Sequence, residues 1–287
     1  MLTKEALQAM AAQNPLLLDG ATGSNLIKMG MPRGCCTEEW ILANPQALVS
    51  LQREYVRAGS KILYAPTFQA QPIALERVGL ANHTEAINAQ LAALSRSVST
   101  DVLIAGDLTT LAVYIDSWDP GNFDLLVENY RRQIKGLIDG GVDLLIAETL
   151  MYPQEAEAIL TAAELEGATC CMYTFTMQSD GSLFSGMDAG PVLKNLEDAG
   201  AAAVGFNCVA ADEMTAGLVA KLRRFVKGPL ICKPNAGMPV IREDGLAHYD
   251  MSPAVFAEVI RSCAGIGATL LGGCCGTTPE HIAAITK

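Results

Sequence analysis

A chain of 287 residues, half of them apolar and only 18% charged, can bury a sizeable core, and its length suits one large α/β barrel. Its formal charge of −11 repels phosphate backbones and anionic lipid, which argues against nucleic acid and membrane surfaces as partners. No apolar run is long enough to span a bilayer, and residues 1–14 lack the basic start and apolar stretch of a secretory signal, so the expected location is cytoplasmic.

Thr3 to Ala12 reads as a helix ahead of the first strand, placed to close a barrel floor. Short apolar runs ending at polar or glycine residues then predict eight strands, at 15–19, 61–64, 102–106, 144–148, 169–175, 202–207, 230–234 and 268–272. The stretches between them are amphipathic. Ala47 to Ala58 carries Leu48, Leu51, Tyr55 and Ala58 at helical spacing, and Phe123 to Ile138 and Met251 to Ser262 behave similarly. Glycine steps at 58–59, 140–141 and 199–200 stop helices just before the next strand. About eight such units predict an α/β fold, a single (β/α)8 TIM barrel, over an open doubly wound sheet that would leave units unplaced. No linker or low-complexity segment divides the sequence, so residues 1–287 are expected to form one domain, with residues 1–14 as the closing helix.

In such a barrel the chemistry sits where strands end and βα loops begin. Those ends read Asp19-Gly-Ala-Thr-Gly23, Pro66-Thr-Phe68, Gly106-Asp107, Glu148-Thr149, Gly205-Phe-Asn-Cys208, Pro234-Asn-Ala-Gly237 and Gly272-Gly-Cys-Cys-Gly-Thr277. Polar, glycine-rich and sulfur-bearing groups all fall on one rim.

Nine cysteines without a secretion signal favour metal or thiol chemistry over disulfides, and only His83, His248 and His281 could serve as imidazole bases. Adjacent residues of a strand face opposite ways, so Cys170-Cys171 is expected to pack rather than chelate, like Cys232 and Cys263. Cys274-Cys275 differs, because the flanking glycines permit backbone angles that turn both sulfurs inward. Cys208 ends the sixth strand, near the eighth in a closed barrel. Three thiolates there would make a soft site with one open position, suited to catalytic zinc; three unrelated cysteines are the alternative. Cys35-Cys36 lies in the first βα loop, on the same rim, and reads as an exposed reduced pair.

The Asp19 to Gly23, Gly205 to Cys208, Pro234 to Gly237 and Gly272 to Thr277 elements resemble the homocysteine S-methyltransferase family, and the likeness runs from about Leu16 to His281. That resemblance implies a zinc-dependent S-methyltransferase converting homocysteine to methionine, with Cys208, Cys274 and Cys275 as metal ligands and catalytic centre. It places the substrate ammonium at Asp19 and Glu148, the carboxylate at backbone N–H groups around Thr22 and Gly23, and a further contact at Asn207. The methyl donor it implies is either a methylcorrinoid, such as methylcobalamin carried by a separate protein, or a small sulfonium or ammonium compound. Three stretches depart from the family pattern: Ala65-Pro66-Thr67-Phe68, Gly106-Asp107 running into Leu108, and Lys233 where a Glu-Pro-Asn pattern is common. Two rival readings are a non-catalytic zinc- or thiol-binding module of a larger methyltransferase complex, and a barrel aldolase with Lys233 as Schiff-base amine.

Overall fold

The computed structural model of the chain describes residues 1–242 and 247–287. Seven strands come first: β1 (Leu16–Leu17), β2 (Ile62–Tyr64), β3 (Leu103–Thr109), β4 (Leu144–Leu150), β5 (Cys171–Phe175), β6 (Ala203–Ala210) and β7 (Leu230–Asn235). A small antiparallel hairpin, β8 (Val240–Ile241) and β9 (Ala247–His248), forms a separate sheet, and β10 (Leu270–Leu271) completes the main one. The eight main strands are all parallel, in the order β1-β10-β7-β6-β5-β4-β3-β2, and a parallel bridge from Leu18 to Ile62 joins the two ends. With helices between the strands, this is the (β/α)8 barrel.

β1 and β10 are shorter than the apolar runs around them. Their ladder nevertheless continues past their C-terminal ends, since Leu18 donates to the Leu271 carbonyl at 2.7 Å and Gly273 to the Asp19 carbonyl at 3.1 Å.

Buried strands in this fold are apolar on both faces, and the two faces go to different places. Leu16, Ile62, Ala105, Ile146, Met172 and Ile231 fill the barrel interior, whereas Leu17, Leu63, Ile104, Val204 and Cys232 pack outward against the helices. Cys170 lies in the inner cluster and Cys171 in the outer one, as strand alternation requires. Helix Lys4–Gln13, capped by the Thr3 hydroxyl, sends Leu7 and Ala11 into the inner cluster.

Gly205 marks where two strands approach too closely for a side chain. A β-carbon there would lie 2.1 Å from the Ile231 carbonyl oxygen, and backbone cannot swing aside as a side-chain tip can. Gly205→Ala is expected to lower the unfolding free energy by about 1–3 kcal/mol or more. Urea denaturation reads this directly, and wild-type stability in the variant would contradict the packing described.

Candidate active site

The site arises from continuing the inward-facing parity. Two residues beyond the apolar Ile62, Ala105, Ile146, Met172 and Ile231 stand Tyr64, Asp107, Glu148, Thr174 and Lys233, and Asn207 holds the same place on β6. All six are buried. The barrel interior therefore changes from an apolar plug to a polar layer at its C-terminal end, beneath the βα loops.

Asn207 ties this layer together. Its amide donates to the Thr149 hydroxyl at 2.7 Å and to Glu148 Oε2 at 3.3 Å, and its nitrogen lies 3.7 Å from Cys274 Sγ. Its carbonyl oxygen accepts from the Thr149 N–H at 2.7 Å and the Thr174 hydroxyl at 2.9 Å. Asn207, expected to contact substrate, is fully buried and hydrogen-bonded by the protein, next to Glu148 and Cys274 of the cavity wall. These bonds link Thr149, Glu148 and the Cys274 loop. Asn207→Ala is expected to weaken metal binding at the neighbouring cysteines by about 10–100-fold, as loss of an outer support typically does. Chelator competition would measure this, and unchanged affinity would remove that support.

Cys208 follows Asn207 and by parity alone would face outward. The chain instead takes φ of +56° at Cys208 and +60° at Thr149, and the strand register shifts at both places. A non-glycine residue in this region is strained by about 1–3 kcal/mol, and here the bend accompanies a re-aimed side chain. The Cys208 and Cys275 sulfurs lie 4.0 Å apart, and those of Cys208, Cys274 and Cys275 all fall within 4.8 Å of one another. Tetrahedral zinc with Zn–S bonds of about 2.3 Å sets ligand sulfurs about 3.8 Å apart, so the donor set and its spacing fit that ion after small adjustment. The loop is held by Cys274 N–H to the Pro234 carbonyl at 2.7 Å and by the Thr277 hydroxyl to the Cys274 carbonyl, also at 2.7 Å. Hydrogen bonds from Cys208 and Cys274 push the Cys275 thiol down to about 3, while donation to those partners pushes Cys208 well up.

A cavity of about 290 Å³ opens beside the trio. All three cysteines line it, as do Asp19, Thr22, Gly23 and Glu148 of the sequence-derived set. Cys35 and Cys36 lie outside the trio; Cys36 donates to Glu38 at 3.5 Å and Cys35 to the Pro32 carbonyl. Lys233, a departure from the family pattern and the candidate Schiff-base amine, is placed by the barrel among the carboxylates of the site. Its ammonium lies 3.4 Å from Glu148 Oε2 and 3.7 Å from Asp19 Oδ1, and 4.4 Å from the centre of the Tyr64 ring. Burial works against that charge, but Glu148 and Asp19 outweigh it and hold the ammonium well above its ordinary range. A Schiff-base lysine must lose its proton to react, and this ion cluster opposes that loss.

Burial pushes Asp19 up to about 7 against the opposing pull of Lys233 and the Tyr64 N–H, and Glu148 reaches about 7 for the same leading reason. The fold thus favours the protonated carboxyl of Asp19 over the unfolded chain. Its contribution to stability is complete below the ordinary value of 3.8 and disappears as pH rises through about 7. Metal-free protein is expected to lose stability from pH 5 to pH 8, and Asp19→Asn to flatten that decline. Equal slopes in wild type and variant, by chemical denaturation, would refute the assignment.

A family model described as homocysteine S-methyltransferase matches residues 16–287. Among solved structures, the metallated form of the Escherichia coli homocysteine methyltransferase MmuM superposes with a TM-score of 0.81 at 25% identity, covering 96% of this chain and 97% of that one. Its oxidised form gives 0.82 and 26% over the same shares. The carboxyl transferase domain of Rhizobium etli pyruvate carboxylase, with pyruvate, covers 94% of this chain and 42% of that one at 14% identity and a TM-score of 0.54, which is a likeness of fold alone. No helix among the described residues is long and apolar enough to cross a membrane. The family match spans nearly all of the sequence and takes in every strand of the barrel, so this chain belongs to the homocysteine S-methyltransferase family and is a methyltransferase.

Proposed function

We propose that the chain methylates the thiol of homocysteine to form methionine, with zinc held by Cys208, Cys274 and Cys275. The observation that carries the reading is three sulfurs gathered within 4.8 Å of one another on the wall of a cavity bordered by buried carboxylates. Bound zinc would supply Lewis acidity that keeps a thiol ionised at neutral pH, where a free thiol of ordinary pKa is only about 3% thiolate.

The protein's own residues do the rest. Asp19 and the carboxylates near it give the cavity a negative end for the substrate ammonium, while Thr22 and Gly23, also on its wall, would offer backbone N–H groups to the substrate carboxylate. Ala21, Ala65, Pro66 and Phe68 supply apolar wall that limits water around the reacting sulfur. Asn207 keeps Thr149 and the cysteine loop in register. Holding sulfur and methyl carbon in line can contribute about 7–11 kcal/mol, far more than the roughly 2 kcal/mol available from thiol ionisation alone.

Each donor class has one supporting observation. The cluster of carboxylates favours a cationic sulfonium or ammonium compound. Exposed apolar side chains on the βα loops, among them Val113, Trp118, Phe184, Met238 and Ile241, favour a methylcorrinoid delivered on a separate protein. Zinc-loaded and metal-free protein should be incubated with homocysteine and, in turn, S-methylmethionine, betaine and a methylcorrinoid protein. Methionine formed only by the zinc-loaded protein is the expected result. No methionine from any donor would overturn the function.

A further inference from the structure

We propose that Asp107 is a specificity-determining residue that receives the ammonium of the thiol substrate, because Lys233 already occupies the position between Asp19 and Glu148. The inference rests on the homocysteine reading above and changes which carboxylates recognise that substrate.

Beside Glu38, three buried carboxylates, Asp19, Asp107 and Glu148, line the cavity, and among the described residues Lys233 is the one cationic side chain that lines it with them. One ammonium cannot neutralise three carboxylates. Glu148 Oε2 is engaged by both Lys233 and Asn207, and Asp19 Oδ2 accepts from the Tyr64 N–H at 2.7 Å. Asp19 Oδ1 faces Lys233 at 3.7 Å, whereas Asp107 Oδ1 is a buried oxygen with neither a hydrogen bond nor an ion pair among the described residues. An unsatisfied buried carboxylate is costly, so a native protein that keeps one generally fills it with a ligand, water or ion.

The surroundings of Asp107 separate this from a structural role. Its main chain is clamped: the N–H donates to the Thr67 hydroxyl at 3.2 Å, and the carbonyl accepts from that hydroxyl at 2.8 Å and from the Gln133 amide at 3.1 Å. None of these bonds uses the carboxylate. Glu155 shows what a structural carboxylate looks like in this protein. It is fully buried and accepts from the hydroxyls of Thr110 and Ser117 and the N–H of Leu111, with Met151 and Tyr152 at longer range. Glu38, which also borders the cavity, is likewise engaged, by the Gln69 N–H at 2.8 Å. Asp107 is held rigidly by its backbone while its acid group is left for something that enters the cavity. An ammonium supplies the missing charge and the missing donors together.

The test compares homocysteine with 4-mercaptobutyrate, the same thiol without its amino group, by calorimetric titration into zinc-loaded wild type and Asp107→Asn. The substitution keeps the shape of the side chain and removes its charge. Asp107→Asn is expected to weaken homocysteine by about 10–100-fold and 4-mercaptobutyrate by less than about 3-fold, so that discrimination between the two collapses. Retained 4-mercaptobutyrate binding also shows that the variant is folded. If the variant keeps the wild-type preference for homocysteine, or spares homocysteine and weakens S-methylmethionine instead, the inference is overturned and the function stands. If wild type binds no homocysteine, the underlying reading fails and this inference goes with it.

Discussion

Cys275→Ala protein is expected to purify without stoichiometric zinc and to bind added zinc at least about 10³-fold more weakly than wild type. Structural zinc sites of four ligands reach about 10–16 kcal/mol of apparent affinity, so one ligand of this trio carries several kcal/mol. Cys275 is the member whose surroundings most favour the thiolate, and Cys208 sits on a strained backbone that serves to turn its sulfur inward. Cys208→Ala is therefore expected to behave alike, with methyl transfer lost in both. Metal analysis after dialysis and chelator competition make the measurement, and far-UV circular dichroism confirms that the barrel is intact. Full zinc content in both variants would remove the metal reading.

Lys233→Met is expected to lower stability at neutral pH by about 3–5 kcal/mol, the usual cost of removing one partner of a buried ion pair. The reason is what remains. Asp19, Asp107 and Glu148 would share the barrel mouth with no internal cation, and the Tyr64 ring would lose the charge above it. The loss should shrink on acidification, because the three carboxyls, all already pushed up by burial, would then be protonated. Chemical denaturation at pH 5 and pH 8 separates this from a simple packing defect, which would cost the same at both. A pH-independent loss would refute the electrostatic account.

Much of this protein is legible without coordinates. Runs such as Leu144 to Glu148 end in a charged residue because strands in this fold bury both faces along their length and meet the active-site layer only at the end. Strand alternation separated Cys170 from Cys171, and glycines around Cys274 and Cys275 pointed to a loop able to present two sulfurs. Asn207 and Lys233 were less legible. Asn207 reads as a substrate contact by its place at a strand end, and only the assembled barrel brings Glu148, Thr149 and Thr174 around its amide. Lys233 is isolated in sequence, with Asp19 and Glu148 far off along the chain, and nothing local says it will be bracketed by them.

The division follows from the range of the forces involved. Apolar periodicity and glycine placement act over a few neighbouring residues, so strand order, helix limits and the rim on which functional groups gather are determined by the sequence itself. Which thiols meet, which carboxylate is engaged by lysine and which is left unpaired depend on atoms brought within a few ångströms by barrel closure, from strands separated by up to about 250 residues. Coulomb energy and hydrogen bonding depend on that final distance and on the burial that accompanies it, and both exist only once the tertiary structure has formed.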